Sequence, residues 1–117
     1  MRAAVDKLTR RPEFLRAARR GQTFATPGLV LQVYSRGDGD AQFRVGYTAS
    51  KKVGNAVVRN RARRRLRAIV AAVAPLHAKA GRDYVLIARG GTPGRRFAAL
   101  ERDFETALKR LDAWRLE

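Results

Sequence analysis

SKKVGNAVVRNRARRRL, residues Ser50–Leu66, decides the reading of this chain. Asn55 is a residue type that caps helices, and the pattern predicts a long helix from about Ala56 to Ala74, stopped by Pro75. On a helical wheel at roughly 100° per residue, Val58, Ala62, Leu66, Ile69, Val70 and Val73 fall within about a third of the circumference. Asn60, Arg61, Arg63, Arg64 and Arg67 occupy the other side, and Arg59 and Arg65 sit at the boundary, where a long stem lies along the protein and its head reaches solvent. One face is built for a core and the other is densely cationic. A merely solvated face interleaves Glu with Arg at four-residue spacing. This one has no acid, and like charges at that spacing cost a few tenths of a kcal/mol per pair. Phosphate groups are the natural counter-charge. Lys51, Lys52 and the amides of the loop before the helix add an anion site at its N-terminus.

Working outward, Thr9–Arg20 reads as a short helix, with Pro12 tolerated in its first turn and Gly21 as its stop. Phe14, Leu15 and Ala18 share its apolar face; Arg16, Arg19 and Arg20 lie off it. Phe24 suggests a short edge strand. Leu29–Ser35 reads as a strand, Gly37-Asp38-Gly39-Asp40 as a turn, and Phe43–Thr48 as the hairpin partner of Leu29–Ser35. Phe43, Val45 and Tyr47 point to the core face of that partner and Arg44 to the other. Asp83–Ala88 is almost continuously apolar and is expected to be central. Phe97 to about Trp114 closes the chain as a helix, with Phe97, Leu100, Phe104, Leu108 and Leu111 on one side. The order is α-β-β-β-α-β-α: an α+β fold, a two-layer α/β sandwich in which helices pack on one sheet.

The chain has 117 residues, which suits a single domain over residues 1–117. It carries 26 Lys and Arg against 10 Asp and Glu, a formal net charge of +16. Such self-repulsion is relieved by a polyanion. Between Ala41 and Arg82 there are eleven basic residues and no acid, so a folded surface rather than a tail carries the excess. Most of the cations are Arg, which grips phosphate in a fork and stacks on bases. With no Cys there is no disulfide scaffold, thiolate nucleophile or Cys-held metal. No run approaches the roughly 20 apolar residues of a membrane helix, and nothing near the start resembles a signal peptide, so a cytoplasmic protein that avoids membranes is expected. His77 is the only histidine and is expected at the surface after Pro75 rather than as a general base. No catalytic residue and no metal-ligating cluster stands out.

KKVGNAVVRNRARRRL resembles the signature of the bacterial ribonuclease P protein component, including its Arg-Asn-Arg core at Arg59, Asn60 and Arg61. FRVGYTASKK is similar to the strand that leads into that motif, RRPEFLRAARRG to the family's first helix, GLVLQVY to its next strand and GRDYVLIAR to its last. The likeness runs through nearly the whole chain in order and spacing.

The resemblance implies an RNA-binding subunit of a ribonucleoprotein that removes the 5′ leader from precursor tRNA. It implies that the partner RNA and its Mg²⁺ ions catalyse, one protein copy serving each RNA. It assigns Lys51, Lys52, Asn55, Arg59, Asn60, Arg61, Arg63, Arg64 and Arg67 to that RNA, and it gives the crossover through the Arg-rich helix a left hand, against the general preference for right-handed crossovers. It also implies a cleft between the first helix and the sheet that holds the leader. Phe14 matches a family aromatic there, whereas Ala18 and Gln32 stand where the family often has aromatic side chains. Tyr34, on the strand face of Gln32, is the candidate substitute, and Arg16 and Arg44 are the cations such a groove needs. Composition and size fit a small ribosomal protein equally well; only the motif separates the two. A DNA-reading helix fits less well, since nothing signals a dimer or a second half-site.

Overall fold

The computed structural model describes residues 5–39 and 42–116. It is a mixed α+β structure. Strands β1 (Val5–Lys7), β2 (Gln22–Ala25), β3 (Leu29–Ser35), β4 (Phe43–Thr48) and β5 (Arg82–Ala88) and helices α1 (Arg11–Arg20), α2 (Ala56–His77) and α3 (Phe97–Arg110) follow in the order β1-α1-β2-β3-β4-α2-β5-α3. A 3₁₀ turn, Thr92–Gly94, precedes α3. The five strands form one sheet in the order β1-β4-β5-β3-β2. β1 and β5 run parallel to β4, while β3 runs antiparallel to both β5 and β2.

The expected hairpin of β3 with β4 does not form. β5 inserts between them, pairing Leu29 with Ala88 on one side and Arg44 with Asp83 on the other. The reason is burial: β5 is the most apolar strand, and the centre of the sheet is where both its faces are covered. The Gly37-Asp38-Gly39 stretch is thus a connection across a strand. Asp38 is exposed and accepts from Arg36 Nε at 3.1 Å, and Asp40 lies outside the described residues. β1 adds a first strand to the expected order. Three residues paired only at an edge leave no periodicity to read.

The main core lies on one sheet face. Leu29, Leu31 and Val33 of β3, Phe43 and Val45 of β4, and Tyr84 and Leu86 of β5 meet Ala62, Leu66, Ile69 and Val70 of α2 and Leu100, Phe104 and Leu108 of α3. Phe43 meets Tyr84 edge to face, centroids 5.9 Å apart. α2 and α3 make the helical layer of the sandwich. α1 crosses the reverse face with a smaller core of Leu8, Ala17 and Val85, joined by Phe14, Tyr34 and Ile87. Its inward residue is Ala17, fully buried, whereas Ala18 is exposed, a one-residue rotation from the expected face. Gly21 ends α1 in extended rather than left-handed geometry, and its requirement is space: a Cβ there would lie 2.4 Å from the Ala17 carbonyl oxygen and 2.7 Å from that of Val33.

Both long helices end elsewhere than expected. α2 runs through Pro75 to His77, because its last turn is held from outside: Arg115 Nη2 donates to the Pro75 carbonyl at 3.0 Å and the Arg115 N–H to that of His77. His77 is half-buried rather than a surface residue, stacked on Trp114 with centroids 4.0 Å apart. α3 stops at Arg110, where Asp112 takes a left-handed φ of 52° and sends the chain back to pair Trp114 with Ala78. No described helix is long and apolar enough to cross a membrane.

Candidate nucleic-acid interface

α2 begins where expected. Asn55 Oδ1 accepts the Val58 N–H at 3.0 Å, so a local cap fixes the first turn. Burial of Ala62, Leu66, Ile69 and Val70 then orients the helix and turns its other side outward. Lys51, Lys52, Asn55, Asn60, Arg61, Arg64 and Arg67 are exposed; Arg59 and Arg63 are half-buried. Arg63 donates to Asn60 Oδ1 at 2.9 Å, which braces its guanidinium against the helix. Arg67 lies over the Tyr47 ring, 5.4 Å from its centroid. Burial pushes the Tyr47 hydroxyl up to about 12, with Arg67 opposing, so the ring stays neutral beside the cation. Val57, Asn60, Arg63, Arg64 and Arg67 border a shallow groove of about 490 Å³. Among the described residues, no arginine of α2 takes part in an ion pair. Arg65, at the boundary, turns away from this face and donates to the Arg95 carbonyl.

The other predicted site residues also converge, in the seam between α1 and the sheet. Phe14 presses against Gly46 of β4: a Cβ at Gly46 would stand 2.4 Å from the ring, so only glycine admits the aromatic there. Phe14 also borders an opening of about 330 Å³ with Thr9, Arg11 and Thr48. Arg16 lies 4.8 Å from the centroid of Tyr34. The cations Arg16 and Arg44, however, are not free. Asp83, fully buried on β5, accepts Arg44 Nε and Nη2 at 2.9 Å each, Arg36 Nη1 at 2.8 Å and Arg16 Nη2 at 3.2 Å. Arg44 Nη1 also donates to Glu13 of α1. Burial pushes the Asp83 carboxyl up, but the guanidinium groups of Arg44, Arg36 and Arg16 outweigh it and hold the group below the ordinary carboxylate range. The Arg44 guanidinium is correspondingly raised by its bonds to Asp83.

The two predicted sites therefore differ in kind. The α2 face is an uncompensated cationic ridge. The α1 seam is a mixed aromatic and polar groove whose cations are answered by carboxylates. Sequence reasoning missed Asp83 and Glu13 as those partners. The one signal for Asp83 was an acid in an apolar strand. Among the described residues no group of three or more His, Asp or Glu side chains converges as a metal site.

The fold and the site define a class: an α+β sandwich with a basic ridge beside an aromatic seam. Known proteins make the class specific. The Ribonuclease P family model matches residues 3–112. The ribonuclease P protein component of Paramagnetospirillum magneticum is 51% identical over 116 residues, covering 97% of this chain and 87% of the relative. That of Gluconacetobacter diazotrophicus is 52% identical over 106 residues, covering 91% of this chain and 90% of the relative. Among solved structures, the Staphylococcus aureus RNase P protein superposes with a TM-score of 0.78 at 27% identity, covering 93% of this chain and 97% of that one. The Thermotoga maritima RNase P protein gives 0.75 at 25%, covering 90% and 96%. The chain belongs to the ribonuclease P protein family.

Proposed function

We propose that this chain binds the RNA of the ribonuclease P ribonucleoprotein through the α2 ridge and the 5′ leader of precursor tRNA through the α1 seam, and so assists Mg²⁺-dependent maturation of tRNA 5′ ends. The observation that carries the reading is the ridge itself, in which Arg61, Arg64 and Arg67 stand exposed and without acidic partners on a helix whose other side is locked in the core. Lys51 and Lys52, before the capped N-terminus, extend it toward a phosphate backbone. In the seam, Phe14 and Tyr34 offer ring faces to unpaired bases, and the neutralised Arg16 and Arg44 offer donors rather than net charge.

In this reading the Mg²⁺ ions and the catalysis belong to the RNA. The protein's part is binding and placement, in the cytoplasm, with one copy per RNA. The test is reconstitution with a ribonuclease P RNA at low Mg²⁺. Leader removal is expected to be fast with the chain and slow without it. Equal rates would remove it from this role.

A further inference from the structure

A second cationic feature lies away from the ridge, at the end of the seam, where Tyr34 also borders it. β3 ends at Ser35 opposite Arg82, which opens β5, and α1 ends at Arg20 just before Gln22 of β2. These ends, with the turn after α3, enclose a polar cleft of about 370 Å³. Arg82 Nη1 donates to the Asp112 carbonyl at 2.8 Å, which anchors its guanidinium at the cleft wall. Arg20 is exposed, and no described ion pair includes it. The Asp112 carboxylate also borders the cleft, but Lys79 Nζ answers it at 3.1 Å. Two guanidinium charges are left over, beside the Gln22 amide and the Ser35 hydroxyl, both exposed. Donors of this kind around a polar cleft match the oxygens of a phosphate.

The position matters as much as the chemistry. α2 leaves the end of β4 and returns to the start of β5, so its arginine-rich first half lies toward one end of the sheet and Arg82 at the other. The seven residues of β5 span about 23 Å. No single phosphate serves both places. We infer that the Arg20–Arg82 cleft is a second phosphate site that takes a backbone phosphate of RNA already engaged by the ridge. The inference rests on the RNA-binding reading above and extends it to a further contact.

The full chain, labelled with ¹⁵N, can be titrated with inorganic phosphate, with adenosine 5′-monophosphate and with a short oligoribonucleotide. The expected result is that all three shift the amides of Gln22, Ser35 and Arg82 as a set separate from those of Lys52–Val58. Arg20→Gln is expected to weaken the cleft set about tenfold, with the α2 set unchanged, and to reduce the log–log salt slope of oligonucleotide binding by about 0.7. Arg82→Gln is the second variant, and thermal melting confirms that each still folds. Shifts confined to α2 and indifferent to Arg20→Gln would overturn the cleft while leaving the ridge standing. Cleft shifts with free phosphate but none with the oligonucleotide would overturn the RNA assignment. Silence at both places would overturn the RNA-binding reading together with this one.

Discussion

Asp83 receives four N–H groups from three guanidiniums contributed by α1, by the end of β3 and by β4. A buried carboxylate with so many donors ties α1 to the sheet, and removing its charge takes away the one acid that Arg16, Arg36 and Arg44 share. Asp83→Asn is expected to cost about 3 kcal/mol, read from urea denaturation. The pH dependence has a definite sign. A carboxyl held below its ordinary range stabilises the fold in full above the unfolded value, and that contribution is lost as pH falls through the lower folded value. The wild-type chain should therefore lose stability at acid pH more steeply than Asp83→Asn, and parallel acid limbs would show that the carboxylate is not held this way. Phe14 poses a different question, because half its environment is core and half is an open seam. Phe14→Ala is expected to weaken binding of precursor tRNA more than that of mature tRNA, which lacks a leader. Equal losses would make the ring a packing residue only.

At the level of elements, α2 turns an apolar side to the core and a cationic side outward, so the proposed function predicts separate effects on folding and on binding. Leu66 is fully buried, and Leu66→Ala should cost about 3 kcal/mol in stability. Arg61→Ala and Arg64→Ala remove exposed side chains with no described partner, so they should leave the melting midpoint almost unchanged and weaken RNA affinity. Unfolding of either variant, with affinity intact in the folded fraction, would reverse the assignment of faces. The helix could be read from sequence because its determinants are local: a cap three residues from the N–H it accepts and an apolar stripe at helical spacing. Its end could not, because Pro75 is overruled by Arg115, forty residues away. The same distinction explains the sheet. β3 and β4 have the bounds their alternation predicts, but their neighbour is β5, and adjacency is a non-local choice driven by which strand most needs cover on both faces. The ridge was legible as a charge pattern on one helix; the Arg16–Asp83 pair, 67 residues apart, left no such pattern.

Across the whole molecule the charge of +16 is sorted rather than averaged. Acids on α1, β5 and α3 discharge Arg16, Arg44 and Arg95 within the fold, whereas the α2 ridge keeps its repulsion. A fold with that asymmetry is stabilised by anions that bind it, by RT ln(1 + [L]/Kd), or about 2.7 kcal/mol at a hundredfold excess over Kd. Simple screening is separable from binding. Sodium chloride and sodium sulfate at equal ionic strength screen alike, so an extra rise in the melting midpoint with sulfate reports sites plus the general effect of an excluded salt. The Arg61→Ala/Arg64→Ala double variant keeps the general effect and should lose much of the rest. On the proposed function, the same ridge should set the salt dependence of RNA affinity. Six cations, Lys51, Lys52, Arg61, Arg63, Arg64 and Arg67, each meeting one phosphate, give a log–log slope of about −4. The double variant should bring that slope nearer to −3. A slope close to zero in the wild-type chain would mean that the exposed guanidiniums do not meet phosphates, and that the destabilising repulsion along α2 serves something other than RNA.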